Sequence, residues 1–335
     1  MNEPKPAKGA APPGNPPLQP GLGEAMAVAG GLKPPLAEPP VPAEVPPSAM
    51  PDLERRLRSP RTAVNAVFSV VIALMAFTAL IPLCSVLAML IYEGGKRVGH
   101  GLFIELPPAA KMPGGGIGNA ILGTLLMVGI ASVIAVPVGI LGAVYTAEFK
   151  PDSPISSLVR FSVKVLSGLP SVLAGLFAYA AVVLLTGTYS AVAGGIALSI
   201  LMVPTVLLTA EQAIKMVPNR MREAAIGMGA TSTQVTCHIV LPTAMPGILT
   251  GVMLAVARAA GETAPLLFTA MFSNYWLTRN VKEPTPSLAV LIFNFSSSPF
   301  RNQIEIAWSA SLVLVVLVLF ANIAAQIWTA RSYRA

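Results

Sequence analysis

Residues 223–242 read EAAIGMGATSTQVTCHIVLP, a polar stretch that lies between two long apolar runs. Its pattern predicts two short helices at a membrane surface rather than a further apolar span. Pro218 fixes its own φ, and Asn219 behind it is expected to cap the first helix. Gly227 and Gly229 weaken that helix and allow the chain to turn.

The second short helix is predicted to begin at Thr231. Thr231 with Gln234 three residues later is a capping-box pattern, in which each side chain bonds the backbone N–H of the other residue. We expect this helix to end at Pro242, because proline punctuates helices. Ala224 and Ala225 give the first helix a nearly bare surface, which a groove on another protein can approach closely.

The spacing across this stretch is E-A-A, three residues, a glycine, nine residues and then I-x-L-P. It resembles the EAA loop of prokaryotic ABC-importer permeases, which docks into a cleft on the ATPase subunit. An EAA run alone also fits an ordinary amphipathic connector, but the full pattern between two apolar runs favours the permease. The resemblance implies a coupling loop over 214–242, hereafter the EAA loop, with ATPase contacts at Glu223, Ala224, Ala225, Gly229, Ile239, Leu241 and Pro242.

Composition indicates a membrane protein. The 335 residues are 54% hydrophobic and only 11% charged, with a mean hydropathy of +0.70. The net charge of +7 does not indicate nucleic-acid binding, because the basic residues are scattered at segment ends. Cys84 and Cys237 are too few for a disulfide framework, and they and the lone His100 and His238 show no metal-ligand spacing. No metal site is expected.

Residues 1–51 are dominated by Pro, Ala and Gly and are expected to form a disordered tail. The segment lacks the apolar region of a signal peptide. Recruitment of a proline-recognising partner is the alternative to a merely solvated tail. The remaining residues, 52–335, are predicted to form one transmembrane domain.

Six apolar runs are long enough to cross a bilayer core as helices, which takes about 20 residues each. They lie near 64–91, 117–146, 163–186, 190–211, 243–272 and 305–329. With both termini in the cytoplasm, inner segments hold about 15 Lys and Arg and outer ones about 6, as the positive-inside rule requires. A further apolar stretch at 288–295 is too short to span and is expected to be re-entrant or interfacial.

The stretch ARAAGETAPLLFTA, residues 257–270, carries charge into the fifth run. Arg258 and Glu262 are four residues apart, hence on one face of a helix. A charge at such depth costs about 2.5–3.5 kcal/mol on insertion scales, so it requires a partner or a watery path. A structural pair that only locks helices is the alternative. We interpret Arg258, Glu262 and the adjacent Thr263 as lining a substrate path.

Four further motifs are RAAGETAPLLFTA (258–270), AILGTLL (120–126), AVPVGILGAVYTAE (135–148) and GLPSVLAGLFAY (168–179). With the EAA loop, they resemble the PstA branch of phosphate ABC-transporter permeases over roughly residues 64–330. Many members place an aromatic or basic residue at the start of the second coupling helix, where this chain has Ser232, Thr233 and Gln234.

The resemblance implies an all-α bundle of six transmembrane helices with the MetI-like permease fold, multi-pass in the bacterial inner membrane. The implied partners are a sister permease of the PstC type, a dimer of PstB-type ATP-binding subunits, a periplasmic phosphate-binding protein, inorganic phosphate and the lipid bilayer. ATP and magnesium are expected on the partner ATPase. The chain itself is expected to be non-enzymatic and without a cofactor.

Three other interpretations remain open at this point. A permease for another oxyanion, sulfate or molybdate, is the nearest. A proton-coupled secondary transporter would use intramembrane carboxylates, for which Glu262 is the sole candidate by sequence. A membrane scaffold would act through the Pro-rich tail.

Overall fold

The computed structural model describes residues 60–277 and 280–332. The expected tail, residues 1–51, lies outside them. The chain divides into two units, Met1–Val71 and Ile72–Ala335. The described part of the first unit is the beginning of the first helix, and the helical bundle belongs to the second.

The described residues are helical with no strand, which confirms the predicted all-α class. In chain order the helices of four residues or more are α1 Pro60–Gly95, α2 His100–Ile104, α3 Gly118–Val144, α4 Pro154–Gly168, α5 Ser171–Ala178, α6 Ala191–Lys215, α7 Asn219–Gly227, α8 Ser232–Val235, α9 Leu241–Gly261, α10 Ala264–Thr269, α11 Leu288–Ser296 and α12 Arg301–Ser332, and a single helical turn lies at Leu184–Thr186. Wide π-helical turns follow α3 at Tyr145–Phe149, follow α5 at Tyr179–Val183 and join α8 to α9 at Thr236–Val240.

The described residues contain five helices long and apolar enough to cross a membrane, and a sixth crossing if one bent pair counts as a single span. The bent pair corrects the predicted third span, 163–186. α4 and the segment that begins with α5 meet at an angle of 107° instead of forming one straight helix. The break lies at Leu169 and Pro170, whose ψ angles of 135° and 134° are extended. Proline disfavours a helical residue before it and removes a backbone donor, so the helix ends there.

The predicted fifth span, 243–272, is also corrected at both ends. The helix runs continuously from Ser232 through the π-helical turn to Gly261. Pro242 therefore does not end the second short helix. It lies in the first turn of α9, where a missing N–H is tolerated. At the other end the chain becomes extended at Glu262 and restarts as α10.

The core is organised around α6, the most buried of the five long helices in the described residues. Its inward-facing side chains, among them Leu198, Met202 and Val206, are buried against α3 and α9. A second apolar cluster joins α2, the start of α3, α11 and α12, at the opposite end of α3 from the contact of Glu148 with the EAA loop. The apolar stretch at 288–295 is thus a short helix buried in protein, and Thr124 Oγ1 accepts a hydrogen bond of 2.9 Å from its Leu288 N–H.

Candidate functional site

Arg258 and Glu262 are brought together by the structure. Arg258 lies in the last turn of α9, and its Nε is 3.4 Å from Glu262 Oε1. That separation is long for a charge-assisted bond, so the two groups are held only loosely. The Arg258 side chain is 58% exposed and Glu262 only 18%. Within the described part of the chain, the two terminal nitrogens of Arg258 make no hydrogen bond, which leaves the guanidinium fork open to another ligand.

The sequence prediction that places both charges on one helix face is only partly correct. Glu262 has φ −74° and ψ 123°, so it caps α9 from outside the helix. Thr263 follows as the residue that precedes α10, and its carbonyl accepts the N–H groups of Leu266 and Leu267. The three candidate path residues therefore lie at a break between two helices, where backbone groups are freed from regular bonding. In membrane proteins such breaks are tolerated where they are buried in protein or line a watery cavity.

Pro265 has no N–H for the carbonyl of Gly261, so α9 ends at this break, and close packing between α5 and α10 holds the segment that follows. A Cβ atom built on Gly175 would lie 2.5 Å from the Cα of Pro265, a distance that real Cβ contacts do not reach. Only glycine allows the two backbones this approach. The GLPS-containing motif and the GETAP-containing motif thus meet in space.

The EAA loop turns as the sequence predicts at its centre. α7 ends at Gly227, and Gly229 has φ +90°, in the left-handed region. Gly229 N–H donates to Ile226 O at 2.9 Å and Ala230 N–H donates to Ala225 O at 3.1 Å. These are the two bonds of a Schellman motif. The capping box of Thr231 and Gln234 is also confirmed, with both reciprocal bonds present.

Two details of the predicted loop are wrong. Asn219 does not cap α7; Pro218 occupies the cap position with an extended ψ of 136°, and Asn219 is the first helical residue. Ala225 does not offer a bare outer surface, because it is 2% exposed and packs into the core. Ala224 and Glu223 on the neighbouring positions are exposed.

The other predicted coupling residues have mixed positions. Ile239 and Leu241 are partly buried and pack against the main core, whereas Pro242 and Gly229 are exposed. Direct contact with an ATPase stays a prediction for all of them. Large apolar side chains that the sequence reasoning did not single out stand on the same surface, namely Met216, Met221, Ile226 and Met228.

A cluster of charges beside the EAA loop was missed by the sequence reasoning. Glu211 is buried on α6 and accepts hydrogen bonds from Arg160 Nε at 2.7 Å and Lys215 Nζ at 2.6 Å. Arg222 Nη2 donates to Glu148 Oε1 at 2.7 Å. Glu262 is therefore not the sole candidate carboxylate, since it lies just beyond the end of a candidate span while Glu148 and Glu211 lie within such spans. The signal available was Glu211 with Lys215 four residues later at the end of an apolar run.

Comparison with known proteins agrees with this architecture. Residues 135–333 match the family model described as binding-protein-dependent transport system inner membrane component. The phosphate transport system permease protein PstA of Pasteurella multocida is 39% identical over 257 residues, which are 76% of this chain and 90% of the relative. The protein of the same description from Yersinia pestis is 41% identical over 69% of this chain and 78% of the relative. That from Xylella fastidiosa strain Temecula1 is 37% identical over 79% and 92%.

Two solved structures share the fold. An inward-facing MetNI methionine ABC transporter has a TM-score of 0.51 at 19% identity, covering 63% of this chain and 94% of that one. A bacterial alginate ABC transporter, bound to a periplasmic protein carrying an alginate pentasaccharide, has a TM-score of 0.58 at 15% identity, covering 83% and 98%. These likenesses confirm the predicted MetI-like permease fold.

Proposed function

The chain belongs to the family of binding-protein-dependent transport system inner membrane components, and from this membership we propose that it is the permease subunit of an ATP-driven phosphate importer. The assignment of phosphate as the substrate is supported by relatives described as phosphate transport permeases, which are 37–41% identical over 69–79% of this chain. These relatives do not favour a sulfate or molybdate importer.

A permease of this family is a non-catalytic, multi-pass membrane subunit that works with an ATPase and a binding protein. The proposed partners are a PstC-type sister permease, a PstB-type ATPase dimer that binds ATP and magnesium, and a periplasmic phosphate-binding protein. Both termini are proposed to lie in the cytoplasm, and no cofactor is assigned to this chain.

Arg258 is proposed to bind phosphate in the translocation path. Its planar, permanently charged fork matches phosphate oxygens, and two of its three nitrogens lack a hydrogen bond within the described chain. Glu262 offsets part of that charge when the path is empty. Because its contact with Arg258 is long, arriving phosphate can displace it without breaking a strong bond.

Glu262 also gives a chemical reason why the path would accept phosphate in preference to sulfate. An ionised carboxylate only accepts hydrogen bonds. Hydrogen phosphate carries a proton that it can donate to such a group, whereas sulfate carries none near neutral pH. A guanidinium beside a carboxylate therefore suits a protonated oxyanion. A fully ionised oxyanion is repelled by the carboxylate and has no proton with which to offset that repulsion.

Transport is proposed to follow alternating access. ATP closes the ATPase dimer, which draws the EAA loops of the two permeases together and tilts the helices so that the path opens outward. Phosphate delivered by the binding protein enters, and hydrolysis returns the path to the inward-facing state.

Uptake of radiolabelled phosphate by a bacterial strain deleted for this chain tests the proposal. The wild-type gene should restore uptake that excess unlabelled phosphate abolishes and excess sulfate or molybdate does not. Arg258→Gln should abolish the restored uptake while the chain still co-purifies with its ATPase. A strain that takes up phosphate normally without this chain, or uptake blocked by sulfate, would contradict the assignment. Recovery of the chain without an ATPase would favour a secondary transporter or a scaffold.

A further inference from the structure

The charged residues beside the EAA loop form a connected series rather than separate pairs. Arg222 of α7 donates four hydrogen bonds, to Val217 O at 2.6 Å, to Asn219 Oδ1 and Ile214 O at 3.0 Å each, and to Glu148 Oε1 at 2.7 Å. Three of these acceptors lie within eight residues of Arg222 in sequence, in or beside the EAA loop. Glu148 is 74 residues away, in the π-helical turn that ends α3. Arg222 therefore ties the loop to a different helix.

The same π-helical turn is held from its other side by Arg160 of α4. Arg160 Nη2 donates to Thr146 O at 2.6 Å, and its Nε donates to the buried carboxylate of Glu211 on α6 at 2.7 Å. The end of α3 is thus bonded to α7 through Arg222 and to α6 through Arg160. Since α3 also packs against α6 along much of its length, we expect the two helices to move together.

Stability alone does not account for this arrangement. The Glu148 side chain is 12% exposed and Arg222 is 18% exposed, so both charges have lost most of their hydration. Buried ion pairs of this kind are often no more stabilising than apolar residues of the same volume. What they do provide is a fixed placement of one segment against the other, because a charge-assisted bond is directional and resists both sliding and separation. An apolar contact can slide.

We propose that the Arg222–Glu148 bridge transmits displacement of the EAA loop to the α3–α6 pair, so that the two residues are positioning residues for ATP-driven transport. This inference rests on the proposed function, because it assumes that an ATPase moves the loop. Without the bridge, α7 remains attached to the core through Ala225, but the end of α3 loses its bonded connection to α7. ATP hydrolysis then proceeds without moving the path.

The bridge is tested with the variants Glu148→Gln, Arg222→Gln and the double variant in proteoliposomes that contain the whole importer. The binding protein is supplied on whichever side of the vesicle membrane the importer's periplasmic face lies. Phosphate uptake and ATP hydrolysis are measured in the same vesicles. Each single variant should lower the phosphate transported per ATP about tenfold, the order expected for one charge-assisted hydrogen bond. The double variant should be no worse than Arg222→Gln alone, because Arg222→Gln already removes the bond to Glu148 together with the bonds of Arg222 to Val217, Asn219 and Ile214.

Asp152→Asn is the matched control, since Asp152 is an exposed carboxylate in the loop that follows the same turn. It should keep the wild-type ratio. An unchanged ratio in Glu148→Gln, or losses that multiply in the double variant, would overturn the proposal. So would loss of the ATPase subunits, or of the chain itself, from the Glu148→Gln complex, because the bridge would then serve assembly. A wild-type complex that moves no phosphate on ATP would contradict the proposed function instead.

Discussion

Gly229 offers a direct test of whether the conformation of the EAA loop controls ATPase docking. Its φ of +90° belongs to the left-handed region, and a Cβ atom built there meets nothing within 4 Å. A substitution is therefore resisted by the backbone and not by crowding. For an L-residue the left-handed conformation costs roughly 1–2 kcal/mol, and a β-branched side chain stands at the upper end of that range.

Gly229→Val should relax the turn in the free permease, so that docking has to restore it. The two Schellman bonds, at 2.9 Å and 3.1 Å, would be lost in the relaxed form. A cost of one to two kcal/mol weakens ATPase binding by a factor of about 5–30. The assay is titration of the purified, detergent-solubilised permease pair with the ATPase subunit, read by pull-down, together with phosphate uptake in cells. We expect uptake to fall while the amount of inserted chain stays at the wild-type level.

Gly229→Asn is the matched control, because asparagine is similar in size to valine but tolerates the left-handed region. Gly227→Val adds the same bulk at a helical position whose φ is not left-handed and whose Cβ also meets nothing. Both should bind the ATPase more tightly than Gly229→Val. Equal losses in Gly229→Asn and Gly229→Val would show that bulk on the surface, not backbone strain, impairs docking. Normal ATPase binding and uptake by Gly229→Val would refute the role of the turn.

Four further outcomes are expected. Arg258→Lys should retain at most a small fraction of uptake in vesicles with equal amounts of assembled complex, because a point charge lacks the fork, and wild-type uptake would mark Arg258 as structural. Glu262→Gln should impair uptake and make the residual activity sensitive to excess sulfate, since an amide can donate to a fully ionised oxyanion; resistance to sulfate would remove the proposed basis of selectivity. Gly175→Val should lower both the melting temperature of the complex and uptake, because the backbone of Pro265 cannot yield, while Gly168→Ala, whose Cβ is unobstructed, should not. Deletion of residues 2–50 should leave uptake and membrane insertion nearly unchanged, because a Pro-rich segment of this composition buries no core, and lost uptake at an unchanged protein level would contradict this.

The features that the sequence predicted correctly depend on neighbouring residues. The capping box at Thr231 and the left-handed turn at Gly229 are determined by residues that are close together in sequence, so they can be predicted from the sequence. The apolar runs could also be predicted, since length and hydropathy decide which helices can cross a membrane. Asn219 shows the limit of local reasoning, because the extended Pro218 before it took the cap position.

The errors arise where packing decides between alternatives that the sequence leaves equal. Ala224 and Ala225 are the same residue type in the same helix, and only the direction of the core determines that Ala225 is buried. The break after Gly261 has a local cause in Pro265, which has no N–H for the Gly261 carbonyl, but the close approach of α10 to Gly175 is a contact between residues 90 positions apart. The Arg222–Glu148 bridge joins residues 74 positions apart, a pairing that neither periodicity nor spacing can indicate.

The exposure of Arg258 argues that the path is completed by a second subunit. A guanidinium that is 58% exposed on an apolar helix would face hydrocarbon if this chain stood alone in the bilayer, at a cost of several kcal/mol. Among the residues that the structure describes, its only hydrogen-bond partner is Glu262, at 3.4 Å. Enclosure of this face by the proposed sister permease would remove the lipid and leave a narrow space with one fixed cation and one carboxylate. The loose internal pairing is then an advantage, since a site that releases its cargo must bind it weakly.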